Sequence, residues 1–289
     1  MPDISDLLDA RIRRPAAIAA AARARRRPES LAGPHGKLMI IAADHPARGA
    51  LRAGADPMAM GNRVDLLDRM QTALARPGVN GVLGTPDIIE DLLLLGALDD
   101  KVVIGSMNRG GLAGTAFEID DRFTAYGAAS IAAAGLEGGK MLLRIDPDDA
   151  GTVATLEACG NAVTALAAHQ RMAMIEPFIS HRVDGRVRNE LTADAMIRAM
   201  TVAAGLGATS AYTWLKVPVV QDMERVMAAT TMPALILGGE VSDDAEGAYA
   251  QWSKALALPT VQGLVIGRSL LYPAAGGVAD AVDRAVNLL

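Results

Sequence analysis

Lysine is scarce in this chain. Of 28 basic side chains only those at 37, 101, 140, 216 and 254 are lysine, and the rest are arginine. Cysteine is scarcer still, with Cys159 alone. That excludes an internal disulfide and a cysteine-built zinc site, and it points to a reducing compartment, the cytoplasm. Only four histidines occur, at 35, 45, 169 and 181, and only His45 and His181 fall near expected strand ends. A histidine-built metal centre is therefore disfavoured, and neither a metal nor a cofactor is expected. No apolar run approaches the roughly 18 residues that a membrane helix needs, so a soluble protein without a membrane partner is expected. The net charge of -5 provides no domain-scale basic excess to neutralise a phosphate backbone, which argues against a nucleic-acid partner. Finally, no Gly-x-Gly-x-x-Gly follows the first candidate strand, so a doubly wound dinucleotide fold loses ground.

Apolar residues make up 51% of the 289 and charged residues 21%, enough for a large core. Residues 1–30 read as helical and alanine-rich with basic residues Arg23, Arg25, Arg26 and Arg27, while Asp3, Asp6 and Asp9 are wrong for a transit peptide. We expect a helical extension over 1–36 that caps the domain and ends in the loop Gly33-Pro34-His35-Gly36. Beyond it, short apolar runs alternate with segments of helical spacing. The strands are expected at 38–43, 81–83, 102–105, 141–145, 172–176, 212–216, 234–237 and 264–266. Helices are expected near 57–75, 86–97, 120–134, 150–170, 192–205, 219–229, 243–257 and 276–289. Strand then helix, eight times over, is the signature of a (β/α)8 TIM barrel, here filling 37–289 as one domain.

In such a barrel the working groups sit at the C-terminal ends of the strands. The polar residues fall there: Asp44-His45 after the first strand, 106–111 with Arg109 after the third, Lys140 and Arg144 on the fourth, Glu176 on the fifth and Lys216 on the sixth. Lys216 ends the run Tyr212-Thr213-Trp214-Leu215-Lys216-Val217-Pro218, where a lysine needs a partner or a task. An arginine-writing chain that places lysine there uses a primary amine able to act as a nucleophile, although a snorkelling strand-end lysine reads the same way. Residues two apart on a strand share a face, so Lys140 goes with Leu142 and Arg144, Glu176 with Met174 and Met172, and Lys216 with Trp214 and Tyr212. If those faces point inward, cations and carboxylates meet in the barrel mouth. They form either a catalytic constellation or a structural ion-pair network. After the seventh and eighth strands come Leu237-Gly238-Gly239 and Ile266-Gly267-Arg268, where bare backbone N–H groups can approach an anion at the usual phosphate position of this fold.

The segments Ala43-Asp44-His45-Pro46-Ala47-Arg48-Gly49-Ala50-Leu51, Lys140-Met141-Leu142-Leu143-Arg144-Ile145-Asp146-Pro147-Asp148-Asp149, Ile175-Glu176-Pro177, Leu215-Lys216-Val217-Pro218 and Gly263-Leu264-Val265-Ile266-Gly267-Arg268 resemble the class I aldolases of the DeoC/LacD group. Within it the chain looks most like the tagatose-bisphosphate and inositol-catabolism branch, over about residues 38–275. The resemblance implies a Schiff-base lysine at Lys216, a second lysine at Lys140, acid/base carboxylates at Asp44 and Glu176, and phosphate binding by Gly238, Gly239, Gly267 and Arg268. Arg144, Arg109 and His45 are expected to contact the substrate too, and a homo-oligomer is expected. The implied substrate is a ketose phosphate cleaved to dihydroxyacetone phosphate and an aldehyde. Candidates are 2-deoxy-5-keto-gluconate 6-phosphate, tagatose or fructose bisphosphate, and a sulfosugar phosphate. Two departures stand out: Pro46 and Ala47 separate His45 from Arg48, and the 106–122 loop has no matching part. A metal-dependent aldolase or isomerase and a non-catalytic sugar-phosphate-binding barrel are the rivals, separated by EDTA treatment and by a retro-aldol assay.

Overall fold

A computed structural model describes residues 4–31, 36–241 and 244–289. Asp3 and the loop residues Gly33, Pro34 and His35 lie outside the described residues. The strands are β1 (Leu38–Ala42), β2 (Gly81–Gly84), β3 (Val102–Ser106), β4 (Gly138–Ile145), β5 (Met172–Val183), β6 (Arg186–Asn189), β7 (Thr213–Val217), β8 (Ala234–Leu237) and β9 (Val261–Ile266). All but β6 run parallel in the cyclic order β4-β3-β2-β1-β9-β8-β7-β5, and pairing of β4 with β5 closes the barrel. The chain is a (β/α)8 TIM barrel.

Alternation along each strand divides the apolar residues into two cores. Leu38, Ile40, Ala42, Leu83, Ile104, Met172, Met174, Leu235 and Val265 fill the barrel interior with Trp214 against them. Their neighbours in sequence, among them Met39, Ile41, Val103, Met141, Leu143, Ile175 and Leu215, face outward to the helices. The flanking helices are α3 (Arg63–Leu74), α4 (Pro86–Leu94), α5 (Ala128–Ala133), α6 (Gly151–Ala168), α7 (Ala193–Ala204), α8 (Met223–Met227), α9 (Ala245–Leu256) and α11 (Val278–Val286), with a single turn, α10 (Arg268–Leu271), after β9. Among the described residues no helix is long and apolar enough to cross a membrane.

Several segments differ from the sequence expectation. The N-terminal stretch forms two helices, α1 (Ile4–Arg13) and α2 (Ala16–Ala24), because Pro15 has no N–H to continue the first. They pack beside α4, where Arg11 reaches Asp91 at 2.7 Å. Arg25 makes a buried pair with Glu137 at 2.9 Å, just before β4 and therefore at the end of the barrel away from the mouth. Asn62 caps α3 by accepting from the backbone N–H groups of Val64 and Asp65, which shortens the helix expected from 57. The helix expected from 120 begins only at Ala128, because residues 107–127 fold over the mouth instead. Strand β5 runs past Glu176 into a hairpin with β6 through Asp184-Gly185, both at positive φ (51° and 74°), the dipeptide that a tight primed turn demands.

Candidate active site

Three adjacent strands bring the charged side chains together. Glu176 on β5 stands opposite Leu142 of β4, while Lys140 pairs with Met174, two residues lower. Lys216 is two residues above Trp214, the β7 partner of Met174, so it sits level with Glu176. The carboxylate bridges both amines: Lys216 Nζ lies 2.6 Å from Oε1 and Lys140 Nζ 2.5 Å from Oε2. Lys140 also reaches Asp44 Oδ2 at 3.2 Å, across the mouth from the end of β1. Ser106, level with Lys140 on β3, donates to the same Oδ2 at 3.1 Å. Arg109 Nη2 is 3.0 Å from it as well. Relative exposure is 2% for Asp44 and Lys140, 4% for Lys216, 6% for Arg109 and 8% for Glu176. With every group ionised, three cations face two anions.

The electrostatics follow from that crowding. Burial is the largest single influence on Asp44 and favours its neutral form, but Lys140, Arg109, His45 and Lys216 together outweigh it and hold the carboxyl well below its ordinary range. Glu176 behaves in the same way: burial opposes its charge, and Lys140 and Lys216 overcome that and hold it low. Lys140 is pulled below the usual lysine value, by burial first, against the attraction of Asp44 and Glu176. His45 is pushed down to about 3, chiefly by burial, so it is neutral at pH 7. Its Nδ1 is buried without a hydrogen bond among the described residues, 3.9 Å from Asp44 Oδ1.

Residues 107–123 cover the β3–β5 side of the mouth and are bolted down by groups far apart in sequence. Asn108 exchanges two hydrogen bonds with the backbone of Leu142, at 2.6 and 2.8 Å. Buried Arg48 pairs with Asp121 and donates to the carbonyls of Gly111 and Asn108. Arg144, two residues above Leu142, pairs with Glu118 at 2.9 Å, and its Nε is buried without a partner among the described residues. Sequence reasoning placed Asn108 at the mouth without a role and missed Glu118 and Asp121 as parts of the site. The only signal was a run of acids between glycines, which does not say what they meet.

On the opposite side of the mouth, Gly238 and Gly239 follow β8, and Gly239 has φ +70°, the left-handed region that favours glycine. Gly267 follows β9, where an added Cβ would collide with the carbonyl of Ala42. Arg268 comes next, half-buried, with Nη1 donating to the Arg52 carbonyl at 3.3 Å and Nε buried without a partner among the described residues. Burial lowers its pKa, while the charges of Glu240, Glu176 and Asp44 act the other way. A cavity of about 490 Å³ opens beside this turn, lined by Gly238, Gly239, Glu240, Trp252 and Ser269 among others. The lysines do not line it; they lie sealed in the barrel. The structure thus gathers Asp44, Lys140, Glu176, Lys216, Arg109 and His45 in one cluster, sets Arg144 above it, and places the glycines and Arg268 across from Arg109 and Arg144.

A family model described as Cgl0159-like matches residues 36–286. The chain is 54% identical to the crystal structure of Cgl0159 from Corynebacterium glutamicum, with a TM-score of 0.96 over 99% of this chain and 96% of that one. In fold it is also similar to an archaeal fructose 1,6-bisphosphate aldolase, at 17% identity and a TM-score of 0.63 over 94% and 97% of the two chains. A Schiff-base-forming fructose-1,6-bisphosphate aldolase matches at 17% identity and a TM-score of 0.62, over 94% and 98%. At such identity these aldolases speak to the barrel alone. No protein of curated function matches the sequence.

Proposed function

The chain belongs to the Cgl0159-like family, and from that premise we propose that it is a class I aldolase of the DeoC/LacD kind, cleaving a ketose phosphate through an imine on Lys216. The observation that carries this reading is the carboxylate of Glu176 held between two buried amines at 2.6 and 2.5 Å. Lys140 contacts two carboxylates and Lys216 one, so Lys216 can leave its partner for a substrate with fewer contacts broken. Lys216 passes a proton to Glu176, and the free amine attacks the substrate ketone, forming a C–N bond. Glu176 returns the proton to the departing hydroxyl. Water leaves, and a protonated imine remains.

Asp44 then takes the proton of the hydroxyl on the carbon beyond the bond to be cut. That hydroxyl becomes the aldehyde carbonyl, and the pair of the breaking carbon–carbon bond moves into the imine, giving a neutral enamine. The proton returns to the enamine carbon, and water releases the shorter phosphoketone, dihydroxyacetone phosphate in the reading favoured here. Lys140 remains an ammonium throughout and stabilises the negative charge that develops on the substrate oxygens. Gly238, Gly239, Gly267 and Arg268 are assigned to the phosphate, because glycine backbone and a half-buried guanidinium follow β8 and β9, the strands whose loops bind phosphate in this fold.

Borohydride added with dihydroxyacetone phosphate tests the assignment. A mass increase is expected on the peptide that contains Lys216, and Lys216→Arg should keep the charge and lose the label. A label on Lys140, or none on the wild-type protein, would overturn the reading.

A further inference from the structure

The aldolase reading leaves the 107–123 loop without a task, although it is the most heavily braced part of the mouth. We propose that Arg109 is a positioning residue that works through Asp44: it turns one carboxylate oxygen into the loop and leaves the other, Oδ1, for a substrate hydroxyl. The inference rests on the aldolase reading for its chemistry and on the geometry of the loop for its assignment.

Arg109 is held by its own backbone and by its neighbours. Its N–H and that of Gly110 both donate to the carbonyl of Arg122, at 3.2 and 3.0 Å. A Cβ at Gly110 would stand 2.8 Å from the backbone nitrogen of Arg122, so the two strands of the loop lie against each other only because that residue is glycine. Within this frame the guanidinium turns back to the barrel. Nε donates to the Asn108 carbonyl at 2.8 Å and Nη1 to the backbone carbonyl of Asp44. Nη2 lies 3.0 Å from Asp44 Oδ2 without an aligned hydrogen bond, so that contact is chiefly electrostatic. One side chain therefore grips the main chain and the carboxylate of a single residue.

The two oxygens of Asp44 are treated unequally. Oδ2 takes Ser106 Oγ at 3.1 Å, Lys140 Nζ at 3.2 Å and the Arg109 contact. Oδ1 has only His45 Nδ1 at 3.9 Å, beyond hydrogen-bond reach, and no hydrogen bond to it is formed among the described residues. A base needs a free lone pair facing the proton it removes, and Oδ1 has one. Lys140 cannot serve Asp44 alone, because Glu176 holds the same ammonium more closely, at 2.5 Å. Arg109 is the cation devoted to Asp44.

Arg109→Ala and Arg109→Lys in the full chain, assayed for retro-aldol cleavage of a ketose phosphate, give the first readout. For Arg109→Ala, kcat should fall by about 100-fold or more while KM changes by less than about threefold, because a general base loses its placement while binding does not. The acid limb of kcat/KM should move up by about one to two pH units with the loss of a neighbouring cation. Millimolar guanidinium, or lysine at 109, should restore part of the rate. An unmoved acid limb, or a loss confined to KM, would overturn the proposal. A cycle of Arg109→Ala with Asp44→Asn, read by urea unfolding at pH 7, needs no activity: the two changes should be non-additive by about tenfold in the unfolding equilibrium. Additivity would overturn the clamp whatever the protein catalyses, whereas absent borohydride trapping on the wild type would count against the aldolase reading alone.

Discussion

Glu176→Gln and Lys216→Met separate a catalytic lysine from one that merely completes an ion-pair network. In the native site Lys140, Lys216 and Arg109 face Asp44 and Glu176, an excess of one positive charge. Glu176→Gln removes the partner of two amines at 2.6 and 2.5 Å and leaves an excess of two. Stripping a buried pair of one member costs about 3–5 kcal/mol. At roughly 2.1 cal/mol/K of unfolding entropy per residue, 289 residues give about 0.6 kcal/mol/K, so Tm should fall by about 5–8 °C. Lys216→Met does the opposite to the charge balance. Glu176 keeps Lys140, the buried group becomes neutral as a whole, and an unbranched side chain of similar length fills the same space, so stability should change by no more than about 1 kcal/mol, or under about 2 °C. Calorimetry at pH 7 on the two variants measures both, with borohydride labelling lost in Lys216→Met. If Lys216→Met is destabilised as much as Glu176→Gln, Lys216 is a structural counter-ion and the case for it as a nucleophile fails.

Arg268→Ala should weaken apparent binding of a phosphorylated ketose by roughly 10- to 150-fold, the worth of one charge-assisted hydrogen bond, and barely affect an unphosphorylated analogue; equal losses for both would make the arginine structural. Stability should also decline in acid in two stages. Folded His45 refuses a proton until about pH 3, whereas an unfolded histidine takes one near its ordinary 6.5, so protons favour the unfolded chain as pH falls through that window. Asp44 and Glu176, both held low in the fold, give stability that is complete above roughly pH 5 and is lost as pH falls toward their folded values. Urea midpoints between pH 7 and 4.5 check the first stage, which His45→Gln should flatten; an unchanged slope in that variant would refute the assignment to His45.

The barrel was legible because its signals are local. Each strand is an apolar run of a few residues, and alternation on β4 alone told Lys140 from Met141 and Leu143. The hairpin after Glu176 is not among the sequence expectations, which end that strand at 176, although Asp184-Gly185 is a turn signal. What lay beyond reach is set by contacts between distant segments. Glu176 meets both lysines because β4 is offset, with Lys140 opposite Met174 and not opposite Glu176, and register between two strands is written in neither of them. Residues 120–127 read as the start of a helix until Asp121 is seen to pair with Arg48, 73 positions earlier. A local propensity lost to a buried ion pair.

That loss has a consequence for how the site works. The strands alone would present Asp44 as a buried carboxylate sharing one ammonium with Glu176, and burial would press it toward neutrality. The loop supplies Arg109, which joins Lys140 in holding Asp44 below its ordinary range and brings the cluster to three cations against two anions. Lys140 touches both carboxylates, at 3.2 and 2.5 Å, whereas Lys216 touches Glu176, at 2.6 Å. The loop that grips Asp44 through Arg109 thus leaves Lys140 shared between two carboxylates and Lys216 facing Glu176 alone, the asymmetry on which the proposed assignment of Lys216 as nucleophile rests.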